Sequence, residues 1–165
     1  MQRVLISVEG QTEEIFVRDV LAPHLADAGV AARHVILKTK RPAGAPTTQL
    51  ESAIQGSLGD RRLCPYLQVH EFEALVFAAP SHVATRAGSA ALEGQLADIA
   101  RSLGGPERVD DGPHTAPSKR LASLWPGYTK TLDGPAIVKA AGLAAIRAQC
   151  PHLDAWISGL EALGR

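Results

Sequence analysis

Glu9 and Gly10 are the first residues whose types and placement could carry out chemistry. They follow the apolar run VLISV at residues 4–8 and precede a helix-like pattern. A carboxylate at this point could bind a divalent metal or act as a general acid or base in phosphoryl chemistry. A glycine beside it lets a ligand approach the backbone closely. The alternative is a strand-end carboxylate that only accepts hydrogen bonds from the helix amides.

The segment HEFE at residues 70–73 is the second candidate. If it is extended, Glu71 and Glu73 point to one side and His70 to the other, whereas in a helix His70 and Glu73 share a face. Either geometry could bring a second carboxylate near Glu9, so we predict Glu9, Glu71 and Glu73 as metal ligands. Position 74 is alanine, which excludes the HExxH pattern of zinc proteases. The alternative is a solvated glutamate with His70 as a hydrogen-bonded wall residue.

Two cations follow Ser118 at the start of a predicted helix. Lys119 and Arg120 would oppose the helix dipole there, and a broken local rule of this kind is enriched at functional sites. Ser118, the helix amides, Lys119 and Arg120 could together hold a phosphate. The alternative is a solvated turn in which the cations pair with Asp110 or Asp111.

A modest basic run includes Lys38, which we predict to touch a nucleic-acid backbone together with Gly10. The run has no interleaved aromatic residue that could stack on bases, so a solvated strand end is the alternative. Its members are Arg33, Lys38, Lys40 and Arg41.

Three apolar runs predict strands, and helical patterns separate them. The runs cover residues 4–8, 34–38 and 63–69. The first is typical of a strand that is buried on both faces. Alternation of strand and helix predicts an α/β fold with a mainly parallel sheet, in which ligands bind beyond the carboxyl ends of the strands. The candidates that follow these ends are Glu9, residues 38–41 and residues 70–73.

We predict a single domain over residues 1–165, with an α/β core over 1–80 and a mostly helical extension over 81–165 packed on it. Residues 71–79 fit either a continuing strand or a helix. Further helices are predicted over residues 92–103, 118–124, 135–149 and 152–163.

Local signals predict how the first helices begin and end. Thr12 can cap the first helix, and Pro23 should kink or end it. Thr48 and Glu51 have the spacing of a capping box for a short helix. Pro65 places the third strand at an edge or near its own start.

Composition excludes several classes of protein. Lys plus Arg and Asp plus Glu are 17 each among 165 residues, so no global field attracts nucleic acid, and any such binding must use a local patch. Cys64 and Cys150 belong to no CxxC or Cys/His cluster, which gives no zinc site and suits free thiols in a reducing compartment. No apolar run reaches the ~20 residues of a membrane span. Residues 1–4 lead directly into a strand pattern, without the apolar region and cleavage site of a signal peptide. We therefore predict a cytoplasmic protein without membrane contact.

The sequence resembles known families in several segments. Residues 4–14, VLISVEGQTEE, resemble the first strand and catalytic-glutamate turn of Toprim domains. Residues 59–77, 104–121 and 146–163 resemble one bacterial family, the Toprim-like domain of unknown function 4276, which is related to the RloB proteins. The resemblance covers most of the chain.

The resemblance implies a Toprim-like, Rossmann-like fold that acts on nucleic-acid phosphodiesters. It gives Glu9 the role of general acid or base and implies Mg²⁺ or Mn²⁺, DNA or RNA as substrate, and an SMC- or ABC-type ATPase partner in bacterial defence. Toprim domains hold magnesium with an Asp-x-Asp motif, which this chain lacks; Asp60 is the only aspartate between Asp27 and Asp98. A metal would rest on Glu9 with Glu71 or Glu73.

Three functions remain open at this point. The first is a magnesium-dependent nuclease, or a remnant of one. The second is a non-catalytic partner of an ATPase, which explains the missing aspartates. The third is a small nucleotide-binding module that uses the same strand ends.

Overall fold

The computed structural model of the chain describes residues 1–36, 47–58, 63–68, 71–109 and 115–165, and only the backbone of residues 47, 48 and 58. The described elements, in chain order, are β1 (Gln2–Val8), α1 (Gln11–Phe16), a π-helical turn (Val17–Leu21), α2 (Ala22–Asp27), β2 (Val30–Ile36), α3 (Thr47–Leu58), α4 (Glu73–Val76), α5 (Pro80–Ala87), α6 (Ala91–Ser102), a 3-10 turn (Pro106–Arg108), α7 (Pro117–Leu124), α8 (Lys130–Ala141), α9 (Leu143–Gln149) and α10 (Pro151–Ala162). The chain is therefore a mixed α/β protein with a helical C-terminal half.

Strands β1 and β2 pair in parallel, as predicted, and form a two-stranded sheet in the described part of the chain. The register runs from Gln2 opposite Val30 to Val8 opposite Ile36. Both carboxyl ends therefore lie at one edge of the sheet, and Glu9 follows the first of them.

Strand β1 is buried on one face only, so the prediction of burial on both faces is wrong. Ile6 and Val8 are 8 % and 7 % exposed, whereas Leu5 is 70 % exposed. Because successive side chains of a strand point to opposite faces, Val4, Ile6 and Val8 face the core, whereas Arg3, Leu5 and Ser7 face solvent.

The third predicted strand is absent from residues 63–68, and Val69 lies outside the described residues. Backbone groups of this segment form hydrogen bonds with side chains from other parts of the chain instead of with a neighbouring strand. The carboxylate of Glu51 accepts the N–H of Leu67, and the carbonyl of Cys64 accepts Nε1–H of Trp156 at 3.2 Å. The ring of Tyr66 also stacks on Trp156, with centroids 4.7 Å apart.

The connection between the strands is one continuous run of helix through α1, the π-helical turn and α2. Its N-cap is Gly10 rather than Thr12, which lies inside α1. Pro23 does not end the helix, because α2 continues to Asp27. The wide π-helical turn ends two residues before Pro23. Such a turn tolerates the loss of the backbone hydrogen bond that proline cannot donate.

The C-terminal half is helical as predicted, with two differences in its elements. The pattern over residues 135–149 forms α8 and α9, which Gly142 separates at φ +82°. Helix α5 was not predicted. Residues 71–79, which the pattern left ambiguous, contain the short helix α4.

Among the described helices, none has both the length and the apolar composition that a bilayer crossing requires.

One hydrophobic core extends from the sheet to the last helix. It includes the fully buried side chains Leu21, Leu25, Ile146 and Ile157. Polar contacts reinforce this packing: Nε2 of His24 on α2 lies 2.6 Å from the carboxylate of Glu161 on α10. The strand–helix–strand unit that carries Glu9 therefore packs against the same core as the C-terminal helices.

Candidate functional site

Glu9 lies where the sequence predicts it, between the end of β1 and the start of α1, and it is exposed. Within the described residues its carboxylate has no hydrogen-bond or ion-pair partner. Glu13 lies against the helix start instead, since its Oε2 is 3.1 Å from the point where a side chain at Gly10 would place its Cβ. A side chain at position 10 would therefore crowd the Glu13 carboxylate, whereas the Glu9 side chain is exposed.

The other predicted acids lie in a cluster of residues at or just before the starts of α4, α7 and α8, which we call the α4–α8 cluster. Its members are Glu71, Glu73, Ser118, Tyr128 and Lys130. Oε2 of Glu71 accepts the backbone N–H of Ser118 at 2.9 Å, and Nζ of Lys130 lies 3.1 Å from Oε1 of Glu71. The Glu71 carboxylate therefore satisfies a backbone amide of the first turn of α7.

Glu73 is the buried acid of the cluster, at 2 % exposure. Its Oε1 accepts the hydroxyl of Tyr128 at 3.3 Å, and its Oε2 lies 3.6 Å from Nζ of Lys130. Lys130 therefore bridges the two glutamates, and its side chain is 49 % exposed. No hydrogen bond or ion pair among the described residues joins Glu9 to either glutamate of this cluster.

Burial and hydrogen bonding change the pKa values of the two glutamates in opposite directions. Burial raises the pKa of Glu73, and the attraction of Lys130 offsets only part of this effect. Burial also opposes the charge on Glu71, but the hydrogen bonds from Ser118 and the contact with Lys130 outweigh it and lower the pKa of Glu71. The pKa of the Tyr128 hydroxyl is raised by burial and by the nearby Glu73.

Three of the predicted phosphate-binding residues, Ser118, Lys119 and Arg120, lie in the first turn of α7, and Gly10 is the N-cap of α1. Ser118 is buried, and its backbone N–H meets the carboxylate of Glu71, which takes the place that a phosphate oxygen was expected to take. Nε–H of Arg120 donates to the carbonyl of Thr115 at 2.8 Å, while Lys119 is exposed. Lys38 and His70, as well as the aspartates 110 and 111 that were considered as partners, lie outside the described residues.

The family model named Domain of unknown function (DUF4276) matches residues 38–161. The chain belongs to this family. No curated protein and no solved structure matches the chain. The matched range contains the whole α4–α8 cluster, whereas Glu9 and both strands lie before it.

The described residues do not fit the predicted magnesium ion. No group of three or more His, Cys, Asp or Glu side chains within them could hold a metal. The oxygens of Glu71 and Glu73 already meet Ser118, Tyr128 and Lys130, and an ammonium group lies where a cation would have to bind. Magnesium binding by this DUF4276 chain stays a prediction, and no chemical step below uses it.

Lys130 and Tyr128 were missed by sequence reasoning. Lys130 is a cation in the first turn of α8, the same signal that drew attention to Lys119 and Arg120. The signal was hidden because the helical pattern placed the start of this helix at Pro135. Tyr128 precedes the helix and carries no sequence signal of its own.

Proposed function

We propose that this chain is a Toprim-related domain that acts on nucleic-acid phosphodiesters at the carboxyl end of β1, with Glu9 as general acid or base. The observation that supports this function most directly is the exposed Glu9 carboxylate at the turn from a parallel strand to a helix. A proton-transfer group must be able to reach its substrate. Among the described residues, no side chain or backbone group forms a hydrogen bond or ion pair with the Glu9 carboxylate.

The α4–α8 cluster supports this function by position rather than by chemistry. Phe72 lies between its two glutamates in sequence and packs edge-on against Phe16 of α1, with ring centroids 5.8 Å apart. The contacts of Glu71 and Glu73 join the starts of α4, α7 and α8, and the Phe72 ring connects this cluster to the helix that follows Glu9.

Plasmid nicking tests this function. Purified chain is incubated with supercoiled plasmid in Mg²⁺, in Mn²⁺ and in EDTA. We expect nicking that Glu9→Ala lowers by roughly 100-fold or more, the usual loss when a general acid or base is removed. Glu93→Ala is the matched control, because Glu93 is an exposed carboxylate on α6, and this variant should keep full activity. Full activity in Glu9→Ala would refute the role of Glu9.

A second function is favoured by the internal use of the two clustered glutamates. Because Glu71 and Glu73 stabilise helices and the described residues form no metal-binding group, the chain would be a non-catalytic partner of an SMC- or ABC-type ATPase. Such a partner shows no nicking with either metal and copurifies with an ATPase that is encoded beside it. Robust nicking by the isolated chain would contradict this second function.

A further inference from the structure

The sheet has an exposed face, which we call the outer face. Its side chains come in register pairs from the two strands: Arg3 with Ala31, Leu5 with Arg33, and Ser7 with Val35. Arg3, Leu5, Ser7 and Arg33 are exposed, and Ala31 and Val35 are partly exposed.

The opposite face of the sheet, the inner face, packs against the core. Ile6 and Val8 are buried there. His34, the register partner of Ile6, lies 3.3 Å from the carboxylate of Glu14 on α1. The helix that follows Glu9 therefore covers the inner face and leaves the outer face to solvent.

Positive charge dominates the outer face. Arg3 and Arg33 are its charged residues, and in the described part of the chain neither has an ion-pair or hydrogen-bond partner. They are two residues apart along the strands and on neighbouring strands, so their Cα atoms are about 8 Å apart at a rise of about 3.3 Å per residue and a strand spacing of about 4.8 Å. Two long guanidinium side chains at this spacing can reach neighbouring phosphates of one strand.

The outer face leads to Glu9. Glu9 follows Val8, the last residue of β1, and at the strand rise its Cα lies about 20 Å from that of Arg3. Apolar Leu5 and neutral Ser7 lie between the cations and this carboxylate along β1, and no acidic side chain belongs to the outer face in the part of the sheet that the structure describes. A polyanion on the two arginines would run along β1 and end beside Glu9.

We infer that the outer face binds the phosphate backbone of nucleic acid and directs it to Glu9. This inference rests on the proposed function, since it supplies a path for the same substrate. Nucleic acid explains the unpaired arginines better than a protein, because two short strands offer roughly 230 Å² and a stable protein interface needs about 800 Å² on each side. Binding of phosphates depends on charge and on the release of counterions instead.

Fluorescence anisotropy with a labelled 20-nucleotide oligothymidylate tests this inference, with EDTA present so that no cleavage occurs. Binding should weaken as salt rises. Arg3→Ala and Arg33→Ala should each weaken binding roughly three- to tenfold. Each should also reduce the magnitude of the negative slope of log K against log salt by about 0.7, the value for one lost single-strand phosphate contact. Arg101→Ala is the matched control, because Arg101 is an exposed arginine on α6, and its affinity should match that of the wild type.

Three results would overturn the inference. They are no binding by the wild type at low salt, unchanged affinity in the Arg3→Ala, Arg33→Ala double variant, and a wild-type dimer that Leu5→Asp dissociates. The last result would make the outer face an interface between two copies of the chain. Binding without nicking would refute the proposed cleavage alone, whereas nicking that survives loss of both arginines would refute only the path.

Discussion

Glu71 and Glu73 are two residues apart, yet their surroundings differ in the balance of burial and hydrogen bonding. The Glu71 side chain is 35 % exposed and receives hydrogen bonds from Ser118 and Lys130. Glu73 is almost fully buried, and its contacts with Tyr128 and Lys130 are longer. Charge is therefore favoured on the first carboxylate and disfavoured on the second.

Replacement of each glutamate by glutamine should change the pH dependence of stability with opposite sign. The pKa of Glu73 is raised in the folded state, so its contribution to stability falls as pH rises above the ordinary value of 4.5. Relative to wild type, Glu73→Gln should therefore become more stable as pH rises. Urea denaturation between pH 3.5 and 8 measures this trend.

Glu71→Gln is the matched comparison for that experiment. The folded-state pKa of Glu71 is lowered, so its contribution is present above the ordinary value of 4.5 and is lost as pH falls through the lowered pKa. Glu71→Gln should therefore be most destabilising near neutral pH and least in acid. The same sign of trend in both variants would contradict the two pKa directions.

At the scale of elements, acids from distant segments hold the starts of two C-terminal helices. Glu71 binds the N–H of Ser118 in α7. Buried Glu107 accepts the N–H groups of His152 and Leu153 in α10, both at 3.0 Å. Sequence rules search for a cap next to its helix, so they do not find carboxylates that are more than 40 residues away.

Close packing at Gly134 links α8 to the α4–α8 cluster. A Cβ at this position would lie 2.9 Å from the hydroxyl of Tyr128 and 3.4 Å from the ring of Phe72. Gly134→Ala should therefore displace Tyr128 and destabilise the fold by about 1–3 kcal/mol, the usual cost of overpacking. Urea denaturation checks this value.

Gly159→Ala is the control for that variant. Gly159 lies in the interior of α10 and is exposed, and no atom from elsewhere in the fold lies within 4 Å of the position that a Cβ would take there. The change should stabilise the fold by about 0.5–1 kcal/mol, because alanine has the higher helix propensity. Stabilisation by both changes would show that Tyr128 does not lie against Gly134.

At the scale of the whole molecule, the shared core should make the strand–helix–strand unit and the C-terminal helices unfold together. Leu25 on α2 is fully buried in this core. Leu25→Ala should cost about 2–5 kcal/mol and lower the urea midpoint equally by circular dichroism and by the fluorescence of Trp125 and Trp156.

Leu132→Ala makes the same chemical change at a side chain that is 63 % exposed, and it should shift stability by less than about 0.5 kcal/mol. A change in the circular dichroism of Leu25→Ala that leaves the tryptophan transition in place would mean that the two parts unfold separately.

Local sequence patterns were sufficient to locate several of the elements. Apolar periodicity and helix-stopping residues placed β1, the helix after Glu9, α6, α7 and α10, and they placed Glu9 at a strand end. These features follow from residues within a few positions of one another, because backbone preference and side-chain spacing act over single turns and strands.

The partners of the acids and the exposure of the sheet depend on packing between distant segments. The sequence grouped Glu71 and Glu73 with Glu9 as metal ligands, whereas the fold brings Ser118 and Lys130 to Glu71 from 47 and 59 residues away. It also leaves Leu5 and Arg33 on an open face, although an apolar run favoured burial of both faces. Contacts between distant segments depend on how the elements pack, and no local pattern encodes that packing.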